Sequence, residues 1–138
     1  MLRDEPVIFG IGTDILERRR IADAYQRFGA RFAQRLLMPE ELAMFPAARD
    51  AVRFLSMRFA AKEAIVKAMG TGFANGMWIR DTGVRPDRLG RPEIIFSARG
   101  QRLCDELGIG EGHLTLSDEA GLVVAVAVLM RRSRGGAA

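Results

Sequence analysis

A chain of 138 residues, 49% hydrophobic and 28% charged, has room for one domain with a real core and the composition of a globular protein in water. Its formal net charge of +4, carried by an excess of arginine, points to an acidic partner: nucleic acid, a phosphorylated ligand, an anionic membrane or an acidic protein. The single cysteine, Cys104, excludes an intramolecular disulfide and the two-cysteine metal motifs, which suits a reducing, cytoplasmic setting.

Met1 to Pro6 carry Arg3, Asp4 and Glu5 without the apolar run of a signal peptide. Val7, Phe9 and Ile11 alternate with Ile8, Gly10 and Gly12, which predicts a short strand ending at Gly12-Thr13-Asp14. Asp14 then fits two roles, a cap for the next helix or a metal ligand at a strand end. A helix over Glu17–Phe28 follows, with Ile21, Ala24, Tyr25 and Phe28 as its apolar stripe. Arg27, Arg31 and Arg35 are four apart and line one side if the helix continues through Gly29. This densest positive surface reads either as a solvated face or as a dock for something acidic. Met38-Pro39-Glu40-Glu41 opens a short helix, with proline at its first position and acids in its first turn. A long helix is predicted from about Asp50 to Met69, closed by Gly70.

Beyond a glycine-rich exit, Gly70 to Gly76, the pattern turns to strands. Met77–Val84 and Glu93–Phe96 flank a turn at Pro86–Pro92. Ser97 caps a helix over Ala98–Leu107, stopped by Gly108. His113–Ser117 alternates as a strand, and Leu122–Met130 is a nearly all-apolar strand expected at the centre of a sheet. That stretch is too short to cross a bilayer as a helix. A basic, Gly- and Ala-rich tail is expected from Arg131 to Ala138. With no internal repeat and no linker, residues 1–138 read as one α+β domain, helices packed on an antiparallel sheet.

The chemistry concentrates in Arg58-Phe59-Ala60-Ala61-Lys62-Glu63-Ala64-Ile65-Val66-Lys67. On a helix Phe59, Glu63 and Lys67 share one face, and Arg58 and Lys62 form the neighbouring row. One carboxylate bracketed by cations suits a metal-bound phosphate; Glu63 and Lys67 are also an ordinary surface pair at i and i+4. His113, the lone histidine, has no triad partner nearby in sequence. Gly10-Ile11-Gly12 and Gly70-Thr71-Gly72 are too short for nucleotide fingerprints. From residues alone the chain is a basic α+β domain for a phosphorylated or acidic partner.

Four segments together resemble the holo-[acyl-carrier-protein] synthase family, the short class of 4′-phosphopantetheinyl transferases. They are Ile11-Gly12-Thr13-Asp14-Ile15 with Glu17 and Arg20-Ile21; Arg58 to Ala64 with Lys67 and Gly70-Thr71-Gly72; Gly90-Arg91-Pro92; and His113 to Asp118. The resemblance spans roughly Val7 to Met130 and implies transfer of 4′-phosphopantetheine from coenzyme A to a serine of apo acyl carrier protein, leaving adenosine 3′,5′-bisphosphate. It implies that Asp14 and Glu63 hold Mg²⁺. Glu63 would take the serine proton, directly or through a water, and Lys67 would steady the leaving group. Arg58, Lys62, Gly70, Thr71, Gly72, Arg91, Pro92 and His113 would serve coenzyme A. Arg20, Arg27 and Arg31 would meet the acidic carrier protein, only Arg20 being carried by a motif. The family is similar in forming homotrimers with shared active sites, so His113 is expected to act in a neighbour's site. Met38-Pro39 in place of a Ser/Thr cap, Leu122 in place of an aromatic and the C-terminal arginines depart from the pattern. A nucleic-acid-binding module on the arginine face and a non-catalytic scaffold for acidic proteins are the competing readings. The first lacks interleaved aromatics and a known motif, and the expectation is neither nucleic acid nor membrane as partner.

Overall fold

The structure is a computed structural model and describes residues 7–133. Its framework follows from the alternation of β5 (Leu122–Arg131), in which Val123, Ala125, Ala127 and Leu129 are buried and the valines between them face the other way. β5 pairs antiparallel with β1 (Ile8–Glu17) on one side and with β4 (Ile109–Glu119) on the other, giving the order β1-β5-β4 with the apolar strand in the middle. The small inward side chains of β5 leave room for α4 (Ala51–Met69) to lie across β1 and β5. Ala60, Ala61, Ala64, Ile65, Ala68 and Met69 form its buried side.

The remaining elements surround α4. They are α1 (Arg18–Phe28), α2 (Ala30–Leu36), α3 (Pro39–Met44), the β2 (Thr82–Pro86)–β3 (Pro92–Phe96) hairpin and α5 (Ala98–Leu107). Asp50 caps α4 by accepting the Arg53 N–H at 3.0 Å, and Gly70 closes it in the left-handed region at φ 80°. Ser97 caps α5 through the Gly100 N–H at 3.0 Å.

β4 is longer than the expected His113–Ser117 strand, and four further boundaries differ from expectation, each for a local reason. β1 does not end at Gly12-Thr13-Asp14 but runs to Glu17, because its backbone stays paired with β5 as far as the Glu17–Leu122 pair. Asp14 is therefore a mid-strand residue and not a helix cap. The arginine helix does not continue through Gly29, whose φ of 56° and ψ of −138° break it, so Arg27 lies on α1 while Arg31 and Arg35 lie on α2. The first strand of the hairpin starts at Thr82, after a single turn of 3₁₀ helix at Ile79–Asp81. Finally, Arg131 and Arg132 are tied down rather than part of a tail. The Arg131 N–H donates to Val7 O at 2.7 Å and the Arg132 N–H to Gly108 O at 2.8 Å. Residues 134–138 of the expected tail, and Met1 to Pro6, lie outside the described residues.

Candidate active site

Two glycines in β1 set the geometry. A Cβ on Gly12 would stand 2.0 Å from Ala64 O and 2.6 Å from Ala68 N, and one on Gly10 would stand 2.0 Å from Ala68 O. Only glycine lets the strand backbone touch the helix backbone this closely. Because Asp14 follows Gly12 at strand spacing, it points to the same side, onto the face of α4 that carries Glu63 and Lys67.

Lys67 Nζ donates to Thr13 O at 3.0 Å and lies 3.5 Å from Asp14 Oδ1. Arg20, from the first turn of α1, adds its charge to the same cluster. Asp14 and Glu63 are both half-buried. Burial raises the Asp14 carboxyl above its ordinary value, against the pull of Lys67 and Arg20. Burial, and next the charge of Asp14, raise Glu63, again against Lys67 and Arg20. Two desolvated carboxylates close enough to repel are an oxygen donor set for a hard cation such as Mg²⁺, which completes its shell with phosphate and water oxygens. The arrangement fits that ion.

The raised carboxyls have a measurable consequence. The folded chain holds these protons more tightly than the unfolded chain. Without a divalent cation, stability therefore falls as pH rises from the ordinary values, 3.8 for Asp14 and 4.5 for Glu63, through the raised folded ones. Asp14→Asn removes that cost. At neutral pH in EDTA it should melt above the parent chain. The gain should vanish below about pH 4, where the parent's Asp14 is protonated too. A thermal-melt series in pH checks this, and a variant that melts lower at neutral pH would contradict it.

The neighbouring row of α4 behaves differently from expectation. Lys62, assigned to coenzyme A by resemblance, is fully buried. Its Nζ donates to Glu41 Oε1 at 2.8 Å and to Thr82 O at 2.5 Å, so it cannot meet a ligand. Glu41, read as a helix-start acid, is itself 0% exposed and supplies the opposing charge. It also accepts the Met38 N–H and the Val84 N–H, each at 2.9 Å. Burial pushes the Lys62 ammonium down from its usual value, and Glu41 works against that. Breaking such a buried pair costs about 3–5 kcal/mol. The Met38-Pro39 start gave a signal for one bond of Glu41, the cap to Met38 N–H, but none for its burial.

Arg58, in the same row, is mostly buried but reaches the wall of a cleft. Its guanidinium lies 3.9 Å from the centroid of the Phe54 ring, and Nη2 donates to Val84 O at 3.5 Å. It lines a cleft of about 670 Å³ between the start of α4, the hairpin and β4, together with Arg49, Arg53, Pro86 and Pro92. Arg49 and Arg53 were not singled out in the sequence; nothing there showed that the hairpin would lie across them. A second cleft, of about 820 Å³, holds Arg91, Pro92 and His113, with Pro92 and Thr115 common to both. Neither cleft is lined by Asp14, Glu63 or Lys67. The hairpin turn itself is fixed by Asp87, which accepts the N–H groups of Leu89 and Arg91 at 2.8 and 2.9 Å. Gly70 and Gly72 sit in the left-handed region just past Lys67, and Thr71 between them is buried, its hydroxyl donating to Gly72 O at 2.8 Å.

The outer face of the sheet is apolar and open. Ile11 and Ile15 are 59% and 65% exposed, and the strand register sets them beside Val128 and Val124. His113 stands in the same row as Val128 and Ile11, outward-facing on β4, its Nε2 3.9 Å from Glu111 Oε1. Among the described residues no helix is long and apolar enough to cross a membrane.

A model of the 4′-phosphopantetheinyl transferase superfamily matches residues 10–127. The holo-[acyl-carrier-protein] synthase of Neisseria meningitidis is 44% identical over 122 residues, which is 88% of this chain and 98% of that one. A crystal structure of a holo-[acyl-carrier-protein] synthase from Neisseria meningitidis superposes with a TM-score of 0.85 at 43% identity, covering 88% of this chain and 98% of that one. The Helicobacter pylori synthase, solved in complex with coenzyme A, superposes with a TM-score of 0.75 at 28% identity, covering 86% of this chain and 98% of that one.

Proposed function

This chain belongs to the 4′-phosphopantetheinyl transferase superfamily, and from that premise we propose how its own residues carry the reaction. It transfers 4′-phosphopantetheine from coenzyme A to a serine of apo acyl carrier protein, giving the holo carrier protein and adenosine 3′,5′-bisphosphate. The observation that carries the assignment of roles is the meeting of Asp14, Glu63, Lys67 and Arg20 where β1 crosses α4.

Asp14 and Glu63 would hold Mg²⁺, which when bound supplies positive charge beside the pyrophosphate oxygens. Glu63 accepts the proton, directly or through a water, as the serine oxygen attacks phosphorus. The bond from that phosphorus to the bridging oxygen breaks, and the electron pair leaves with adenosine 3′,5′-bisphosphate. Lys67 Nζ, already beside Asp14, meets the charge that develops on the phosphate oxygens. Arg58 lines the nucleotide cleft, and the glycines at 70 and 72 leave the backbone open to the ligand. Arg91, Pro92 and His113 shape a second part of that site. Lys62 supports the fold instead of the ligand.

The separation of these clefts from the carboxylates favours a site completed by a second copy. The Ile11, Ile15, Val124 and Val128 face is the surface such a contact would cover, in a homotrimer that carries His113 into a neighbour's site. Arg20, Arg27 and Arg31 would steer the acidic carrier protein to the site, affecting encounter and register more than affinity. We place the reaction in the cytoplasm, within fatty acid biosynthesis, and read the chain as a single domain.

Mass spectrometry of an apo acyl carrier protein incubated with this chain, coenzyme A and Mg²⁺ tests the assignment. The expected result is a gain of one phosphopantetheine that EDTA abolishes and restored Mg²⁺ recovers. Sedimentation of the same sample should give three times the mass of one chain. Salt-sensitive binding to nucleic acid without any transfer would favour the rival reading of the arginine face.

A further inference from the structure

The carboxylate of Glu41, 0% exposed, is the most deeply buried acid among the described residues; no step of the transfer uses it, and it touches three elements at once. Oε1 takes Lys62 Nζ from α4 and the Met38 N–H that starts α3. Oε2 takes the Val84 N–H of β2 and lies 3.6 Å from Arg58 Nε, which is buried and has no hydrogen bond. A Cβ on Gly83 would fall 2.6 Å from the Glu41 carboxyl carbon, so the hairpin backbone is pressed directly onto the acid. Arg58 is the outermost member of this group, only 13% exposed at its side chain, and the group ends in the wall of the 670 Å³ cleft.

We infer that Glu41 is a positioning residue for coenzyme A: by holding Lys62, Val84 N–H and Arg58 together, it fixes the direction of the Arg58 guanidinium and the stand of the β2–β3 hairpin over the cleft. A guanidinium offers its hydrogen bonds in a rigid plane, so its orientation decides whether it meets an anionic ligand. Phe54 limits that plane from one side by stacking, and Glu41 limits it from the other by charge. Both Glu41 oxygens accept hydrogen bonds, and buried bonds of this kind rigidify the elements they join, which leaves Arg58 held by charge alone on this side. The inference rests on the proposal that the Arg58 cleft receives coenzyme A. It adds a determinant outside the motifs that carry the family resemblance.

The test is steady-state transfer with Glu41→Gln, which keeps shape and loses charge. The KM for coenzyme A should rise about tenfold, with kcat at saturating coenzyme A within about twofold of the parent and the carrier-protein KM unchanged. Calorimetric titration with adenosine 3′,5′-bisphosphate should show the same loss of affinity. If Glu41 acts through Arg58, the two are coupled: Glu41→Gln placed in an Arg58→Ala background should raise KM by less than about twofold further. Glu41→Gln combined with Lys62→Met removes the lone buried charge and should recover thermal stability, while the coenzyme A KM stays raised.

An unchanged KM in Glu41→Gln would overturn the inference, as would additive effects with Arg58→Ala, or a KM restored together with stability in the Lys62→Met pair. In each of those cases the parent chain still transfers and binds, so the transferase reading stands. A parent chain that neither transfers nor binds adenosine 3′,5′-bisphosphate would overturn both.

Discussion

Glu63→Ala should lower the rate of carrier-protein modification by about 10³-fold or more, because the proposed reaction uses one side chain both as metal ligand and as proton acceptor. Glu63→Gln is the sharper version. It keeps the volume and two polar atoms of the side chain but removes the negative charge on which both roles depend. Its loss should be of the same order, and raising Mg²⁺ should not recover it. Neither variant should unfold the chain, since Glu63 is only half-buried and its charge lies beside the like charge of Asp14. Mass-spectrometric rates on matched, folded samples decide the matter. A Glu63→Gln enzyme within tenfold of the parent would remove Glu63 from the chemistry and leave Asp14 and Lys67 to explain the site.

The second large effect is structural and comes from a residue with no side chain. Gly12→Ala places a methyl group 2.0 Å from Ala64 O, where it cannot stay, so β1 must lift from α4. Overpacking against backbone, which cannot rotate away, should cost about 3 kcal/mol. For a chain of this size that corresponds to a fall of about 10 °C in melting temperature. Transfer should fall further than stability does, because the same movement carries Asp14 away from Glu63 and Lys67. One control bears on this. Gly29→Ala has open space around the new methyl but must hold φ at 56°, so it should cost a modest amount of stability and leave the Asp14, Glu63 and Lys67 cluster intact. If Gly12→Ala melts with the parent and transfers normally, the tight crossing is not what holds the site together.

Much of the site was legible because its parts are local. Glu63 and Lys67 lie four apart on a helix whose apolar pattern and glycine stop are plain, so their common face follows from helix geometry. The apolar run Leu122–Met130 placed itself at the centre of the sheet for a similar reason: a strand covered on both edges and one face has little use for polar residues. Asp14 was less legible. Alternation weakens at Gly10 and Gly12, and the strand looked finished where in fact the backbone ladder continues to Glu17. Those glycines carry no hydropathy signal, because their role is to be thin where a helix presses on them.

By itself, then, the sequence determined the α+β class, the long helix with its Glu63–Lys67 face, the central apolar strand and the basic first helix. These depend on periodicity and on residue chemistry within a few turns. Its motifs, taken together, also pointed to the transferase family. The tertiary structure alone decided that Asp14 meets Glu63 and Lys67 from another element, and that Gly29 divides the arginine face between two helices. It alone decided that Lys62 and Glu41 turn inward to each other instead of toward a ligand. A charged side chain on a helix carries no mark of whether it will be solvated or buried. That is fixed by what packs over it, and here the covering element, the β2–β3 hairpin, arrives from twenty residues further along the chain.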